Sequence, residues 1–149
     1  MKKKLLVLGL GVVLSASAMA VPGTLSLYSQ NEPATISKIT VECGQSRSNE
    51  QNTNLPIPAN NERKISYFLV SLLGSPLYCD FFDTNSQGVI GNDIGWAQLS
   101  VSSDYSTATV INYVNLDPTD YTVNIKSATL NPLPIGTPAK NLSVTLTRN

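Results

Sequence analysis

Along this chain apolar residues recur at every second position in short runs, the spacing of a half-buried β-strand whose successive side chains point to opposite faces. Ala97, Leu99 and Val101 form one such run and Tyr121, Val123 and Ile125 a second. Leu142, Val144 and Leu146 form a third, with Ser143, Thr145 and Thr147 between them. Ile39, Val41 and Cys43 alternate in the same way, whereas residues 65–73 are apolar on almost both faces, which predicts a central strand covered on each side. Runs dense in β-branched and aromatic residues at 24–28, 77–82 and 108–114 complete about eight strands. Helical spacing is nearly absent.

Turn chemistry separates these runs. Gly74-Ser75-Pro76, Asn85-Ser86-Gln87-Gly88, Ser102-Ser103-Asp104 and Asp117-Pro118 are residues that supply positive φ, fix φ or bond their own backbone. Two longer connections, the polar residues 44–62 and the proline-bearing residues 131–140, belong on the surface. Pro132, Pro134 and Pro138 exclude a central strand in the second, which is therefore expected to cross from one sheet to the other. The expected fold is all-β, an antiparallel two-sheet Greek-key sandwich of about eight strands.

One segment carries a family resemblance. Asn115-Leu116-Asp117-Pro118-Thr119-Asp120-Tyr121-Thr122-Val123-Asn124-Ile125 resembles the Leu-x-Pro-Gly-Thr-x-Tyr-x-Val segment of fibronectin type III and related immunoglobulin-like modules, without the family's glycine and one residue shorter. The resemblance implies an immunoglobulin-like sandwich in which Tyr121 closes a corner by bonding nearby backbone, with Leu116 packed beneath it. It implies architecture and no particular activity.

The N-terminus changes the picture of where this fold works. Lys2, Lys3 and Lys4 precede an apolar stretch at residues 5–14 and a small-residue end, Ala18-Met19-Ala20, the three zones of a cleavable secretory signal. Ten apolar residues span only about 15 Å as a helix, half the hydrocarbon core, so the stretch is read as a signal and not a membrane span. Residues 1–20 are thus expected to be removed, leaving residues 21–149 as a single soluble sandwich domain in the periplasm or outside the cell. Its seven basic and ten acidic residues give a net charge of −3, with Arg63-Lys64 the only adjacent basic pair, which argues against a nucleic-acid partner. Two cysteines in a small exported domain, Cys43 and Cys79, are expected to form one disulfide.

The chain contains no histidine, which removes the usual general base, the Ser-His-Asp and Cys-His sites and the commonest zinc ligand. No nucleophile elbow, phosphate loop or dinucleotide fingerprint is present, and no cofactor is implied. Two carboxylate pairs remain, Asp80 with Asp83 and Asp117 with Asp120. Paired carboxylates hydrolyse glycosides, but Asp117 and Asp120 stand in a proline turn that favours aspartate for its own reasons. Asp83, Asn85, Gln87 and Gly88 echo the start of a calcium loop. Position twelve is then Ile94 instead of a bidentate glutamate, with Asp93 one residue early, so a polar hairpin loop is the plainer reading. Trp96 follows Asn92, Asp93 and Gly95. A lone tryptophan beside an alternating strand is expected to fill the interior, while an exposed one flanked by amide and carboxylate is how sugar sites are made.

The expectation for function is a non-catalytic exported sandwich that binds a protein or glycan partner through loops at 44–62 and 83–94, with Trp96, Asn92 and Asp93 as candidate contacts. The first alternative is a subunit of a surface fibre or layer that self-associates by strand addition, with residues 21–33 as a free donor strand. The second is a small carboxylate-dependent hydrolase.

Overall fold

A computed structural model describes residues 21–46, 50, 51, 55–74 and 76–149. The expected signal at 1–20 and much of the connection at 44–62 lie outside the described residues. Among the described residues eleven strands and one helical turn follow one another: β1 (Thr24–Gln30), β2 (Ile36–Gly44), β3 (Glu50–Gln51), β4 (Ile57–Pro58), β5 (Glu62–Ser66), α1 (Tyr67–Ser71), β6 (Leu77–Asn85), β7 (Ile90–Val101), β8 (Ala108–Asn115), β9 (Tyr121–Ser127), β10 (Pro138–Ala139) and β11 (Asn141–Arg148). Eight are long and three are two-residue pairings, and seven of the eight runs of the sequence fall on the long strands of an all-β sandwich.

The smaller sheet has the order β5-β1-β11-β9 and the larger the order β10-β8-β7-β6-β2-β3, with β4 also on β2. Alternation places Leu25 and Leu27 of β1 and Leu142, Val144 and Leu146 of β11 on the buried face, against Ile39 and Val41 of β2, Phe81 of β6 and Leu99 of β7 from the other sheet. Burial of each such side chain contributes roughly 1.5–3 kcal/mol before entropy is counted. Cys43 and Cys79 stand directly opposite each other in the β2–β6 ladder and are bonded, with an S–S distance of 2.07 Å and Cα atoms 4.1 Å apart. The bridge therefore lies within one sheet, on its buried face. Residues 128–140 leave β9 in the smaller sheet, touch the edge of the larger one through β10, and return to β11, the crossing that their prolines imply.

Four expectations are corrected. Residues 65–73 do not make a central strand: β5 is an edge strand that stops at Ser66, whose Oγ accepts from the Phe68 N–H and caps a short helix. Tyr67 and Val70 turn inward at helical spacing while Phe68, Leu69 and Leu72 are exposed, and of these Phe68 meets the Tyr105 ring edge-on at 5.3 Å. Second, the sandwich is not wholly antiparallel, because β1 runs parallel to β11, with Leu25 opposite Leu142 and Leu27 opposite Val144. Third, β1 is hydrogen-bonded to β11 on one side and β5 on the other, so residues 21–33 are not a free donor strand. Fourth, the polar loop at 83–94 is mostly strand. β6 runs to Asn85 and β7 starts at Ile90, and the tight turn between them is closed by Asn85 Oδ1, which accepts from the Gln87 and Val89 amides at 3.0 and 2.9 Å.

Candidate functional site

At one end of the sandwich the last residues of β1, β6 and β11 meet the first residues of β7 and β9. Period-two alternation carries Arg148 to the same face as Leu142, Val144 and Leu146, so a guanidinium arrives where a core residue is expected. A charge there needs anionic partners, and three carboxylates surround it. Arg148 Nη1 lies 3.4 Å from Asp83 Oδ2 and 3.7 Å from Glu32 Oε2, and Nη2 lies 3.6 Å from Asp120 Oδ2. Nη1 also donates to the Tyr121 hydroxyl at 2.9 Å, and the guanidinium carbon sits 5.1 Å from the centre of that ring.

The hydroxyl of Tyr121 in turn donates to Glu32 Oε2 at 3.0 Å, and Ser29 Oγ donates to Glu32 Oε1 at 3.1 Å. Asp83 Oδ1 accepts from the Asn92 amide at 2.7 Å. The main chain of Glu32 is clamped too, its N–H donating to Asn60 Oδ1 at 2.7 Å and its carbonyl accepting from Asn60 Nδ2 at 2.9 Å. Burial raises the Glu32 carboxyl above its ordinary range, outweighing the bonds from Tyr121 and Ser29 and the Arg148 charge that act the other way. Burial, then the Glu32 charge, pushes the Tyr121 hydroxyl up, so it serves as a donor and not as an anion. Burial works against the Arg148 charge, but Tyr121, Asp83 and Glu32 more than offset it.

This arrangement corrects the corner implied by the resemblance. Tyr121 is fully buried, but its hydroxyl bonds a carboxylate 89 residues away instead of nearby backbone. Leu116 is 47% exposed and does not pack beneath it.

Beside the buried cluster lies an open groove lined by Asn92, Asp93, Leu116, Asp117, Thr119 and Asp120. The turn that makes one wall is fixed locally. The Leu116 amide donates to the Ile94 carbonyl at 2.9 Å, Asn115 Oδ1 accepts from the Asp117 amide at 3.1 Å, and Asp117 Oδ1 accepts from the Asp120 amide at 3.3 Å. The structure thus brings the candidates Asn92 and Asp93 together with the Asp117–Asp120 pair, whose members fill turn positions and line the groove at once.

Trp96 is not with them. It is half-buried on the face of β7 opposite Ala97 and Leu99, with its ring centre 6.1 Å from that of Tyr78 at an angle of 46°, so it does not fill the sandwich interior. Asp80 and Asp83 are both buried, and Asp83 is held by Arg148 and the Asn92 amide. The calcium candidates are dispersed among other tasks: Asp83 serves the cluster, Asn85 closes the hairpin turn, and Gln87 is exposed at its tip. Among the described residues no three His, Cys, Asp or Glu side chains form a set of metal ligands, and no helix is long and apolar enough to cross a membrane.

No known protein-family model, curated protein or solved structure matches this chain. The functional reading therefore rests on the chain's own residues. Of these, sequence reasoning passed over Glu32 and Arg148. The parity of Arg148 with Leu142, Val144 and Leu146 was a usable signal, but for Glu32, whose partners Tyr121 and Arg148 are distant in sequence, there was none.

Proposed function

We propose that this protein is an exported, non-catalytic binding module that holds a protein or glycan partner in the groove between the start of β7 and the turn at 116–120. The observation that carries the reading is the mounting of that groove. Its walls offer an amide, a hydroxyl, three carboxylates and the half-exposed side chain of Leu116, and they are anchored to the buried Arg148 cluster through Asp120 and through Asn92. A rigid scaffold with acceptor groups already in place loses little freedom on binding, and such a lining suits a partner that presents hydroxyls, amides or amines. The lack of histidine favours recognition over catalysis, and the Cys43–Cys79 bridge fits an oxidising compartment.

The test is binding of the purified protein to a glycan array and to proteins of an envelope extract, in parallel with Asn92→Ala and Thr119→Ala, both exposed residues of the groove. Both variants should keep the wild-type melting temperature and bind at least about tenfold more weakly, the loss of one or more well-placed polar contacts. Undiminished binding by both would exclude the groove. The alternative, a structural subunit built by strand addition, draws on a different observation: among the described residues β10 pairs with only Ala108 and Thr109 on the outer edge of β8.

A further inference from the structure

On the larger sheet the alternation that turns Ile39 and Val41 into the core leaves Lys38 and Thr40 on the outer face of β2. Thr84 of β6 stands opposite Lys38 in the β2–β6 ladder, and past the register shift that follows Phe82 it meets Ile90 of β7. These four residues, with Leu55 and Pro56 from the chain leading into β4, line one cavity of about 200 Å³. The wall made by Leu55 and Pro56 is held in place. Arg63 Nη1 donates to the Pro56 carbonyl at 3.3 Å, and the next residue, Ile57, pairs with Ile39. Thr84 is only 1% exposed although it belongs to the outer side of the sheet.

The lining is rich in donors and carries no carboxylate. Oγ1 of Thr40 and Oγ1 of Thr84 lie 2.6 Å apart, so one of the two hydroxyl protons is used between them and the other has no acceptor among the described residues. Lys38 is half-buried and has no ion pair among the described residues. An ammonium and a spare hydroxyl proton on one cavity call for a negatively charged acceptor, while Leu55, Pro56 and the 49% exposed Ile90 add apolar surface. We propose that this cavity binds a small organic monocarboxylate. One carboxylate oxygen accepts from Lys38 Nζ, the other accepts from the Thr40–Thr84 hydroxyl pair, and a short hydrocarbon tail packs on Leu55, Pro56 and Ile90. A single cation matches a single negative charge, whereas a phosphate dianion asks for further donors that these side chains do not supply. The site shares no residue with the groove between β7 and the 116–120 turn, and the reading does not depend on that groove.

Isothermal titration of the purified protein with hexanoate, with hexanamide and inorganic phosphate in parallel, tests it. Hexanoate should bind saturably, shift the amide resonances of Lys38, Thr40, Thr84 and Ile90, and bind at least about tenfold more tightly than hexanamide or phosphate, the factor for one hydrogen bond to a charged group. Lys38→Gln should lose the preference for hexanoate over hexanamide, and Thr40→Val should weaken hexanoate several-fold, both with the circular dichroism of the wild type. Lys126→Gln, which removes the same charge from β9 of the smaller sheet, should bind as the wild type does. The comparison with hexanamide and the Thr40→Val variant decide the matter even where Lys38→Gln fails to fold. No saturation by ~20 mM hexanoate would overturn the proposal, as would equal binding of hexanamide, tighter binding of phosphate, or undiminished binding by a folded Lys38→Gln. Equal losses in Lys38→Gln and Lys126→Gln would overturn it too, by making the effect one of net charge.

Discussion

Removing one hydroxyl from Tyr121 tests the buried cluster most directly. In Tyr121→Phe the ring stays, so no cavity opens and the change is confined to two hydrogen bonds, one given to Glu32 Oε2 at 3.0 Å and one accepted from Arg148 Nη1 at 2.9 Å. Both partners are charged, and a bond to a charged group is worth about 1.5–3 kcal/mol. Arg148 keeps Asp83 at 3.4 Å, while Glu32 Oε2 is left with the guanidinium at 3.7 Å. The expected loss is therefore roughly 2–4 kcal/mol, less than the sum of two full bonds. For a domain of this size that is a drop in Tm of about 8–16 °C. The comparison variant is Leu116→Ala, which should cost under about 1 kcal/mol because the side chain is half exposed. An immunoglobulin-like corner, with Tyr121 on backbone and Leu116 beneath it, requires the opposite ranking. Urea denaturation of both single variants and of Tyr121→Phe with Glu32→Gln settles the matter. A loss below about 0.5 kcal/mol for Tyr121→Phe, or additive losses in the double variant, would refute the coupling of these residues.

Further outcomes are expected. Because burial raises the Glu32 carboxyl above its ordinary 4.5, the stability linked to it is present below that value and is lost as pH rises through the folded value. The stability of wild type relative to Glu32→Gln should thus fall in urea melts as pH rises above the ordinary value of 4.5, and a difference constant with pH would contradict the burial. Gly95→Ala should cost at least about 2 kcal/mol, since φ there is +147° and an added methyl would sit on the Val114 carbonyl oxygen; retained stability in thermal melts would mean that β8 can move away. Reduction of the bridge, which spans 36 residues, should cost about 4 kcal/mol in the chain-entropy model, measured as the midpoint shift with and without reductant. Trp96 fluorescence should be partly quenched by acrylamide, and complete protection would return the ring to the core.

The elements that could be read from sequence are those in which one physical signal dominated. Leu142, Val144 and Leu146 alternate because one face of β11 meets the core and the other does not, and two cysteines in an otherwise thiol-free chain have only each other. An apolar run such as residues 65–73 reads as a doubly covered strand, although three of its side chains here, Phe68, Leu69 and Leu72, are exposed around a single helical turn. Trp96 departs from what its residue type leads one to expect and follows its parity: it is adjacent to Ala97, which is buried, and so turns outward. At the candidate site Asn92 and Asp93 stood out as a polar pair beside a strand, and the turn at Asp117 was legible as a turn. What could not be read was their meeting, which depends on Glu32, Tyr121 and Arg148 coming together over separations of 27 to 116 residues, a result of topology and not of local pattern.

The placement of β1 has a bearing on how the chain reaches its folded state. Its left-hand neighbour in the smaller sheet is β5, but its right-hand neighbour is β11, and Thr24 meets Asn141 only after more than a hundred intervening residues are available. Closing so long a loop is slow, and until it closes Leu25 and Leu27 have only half of their sheet. A chain threaded lengthwise through a narrow passage would accordingly keep its smaller sheet open until nearly all of it had come through, and would commit to the sandwich on the far side.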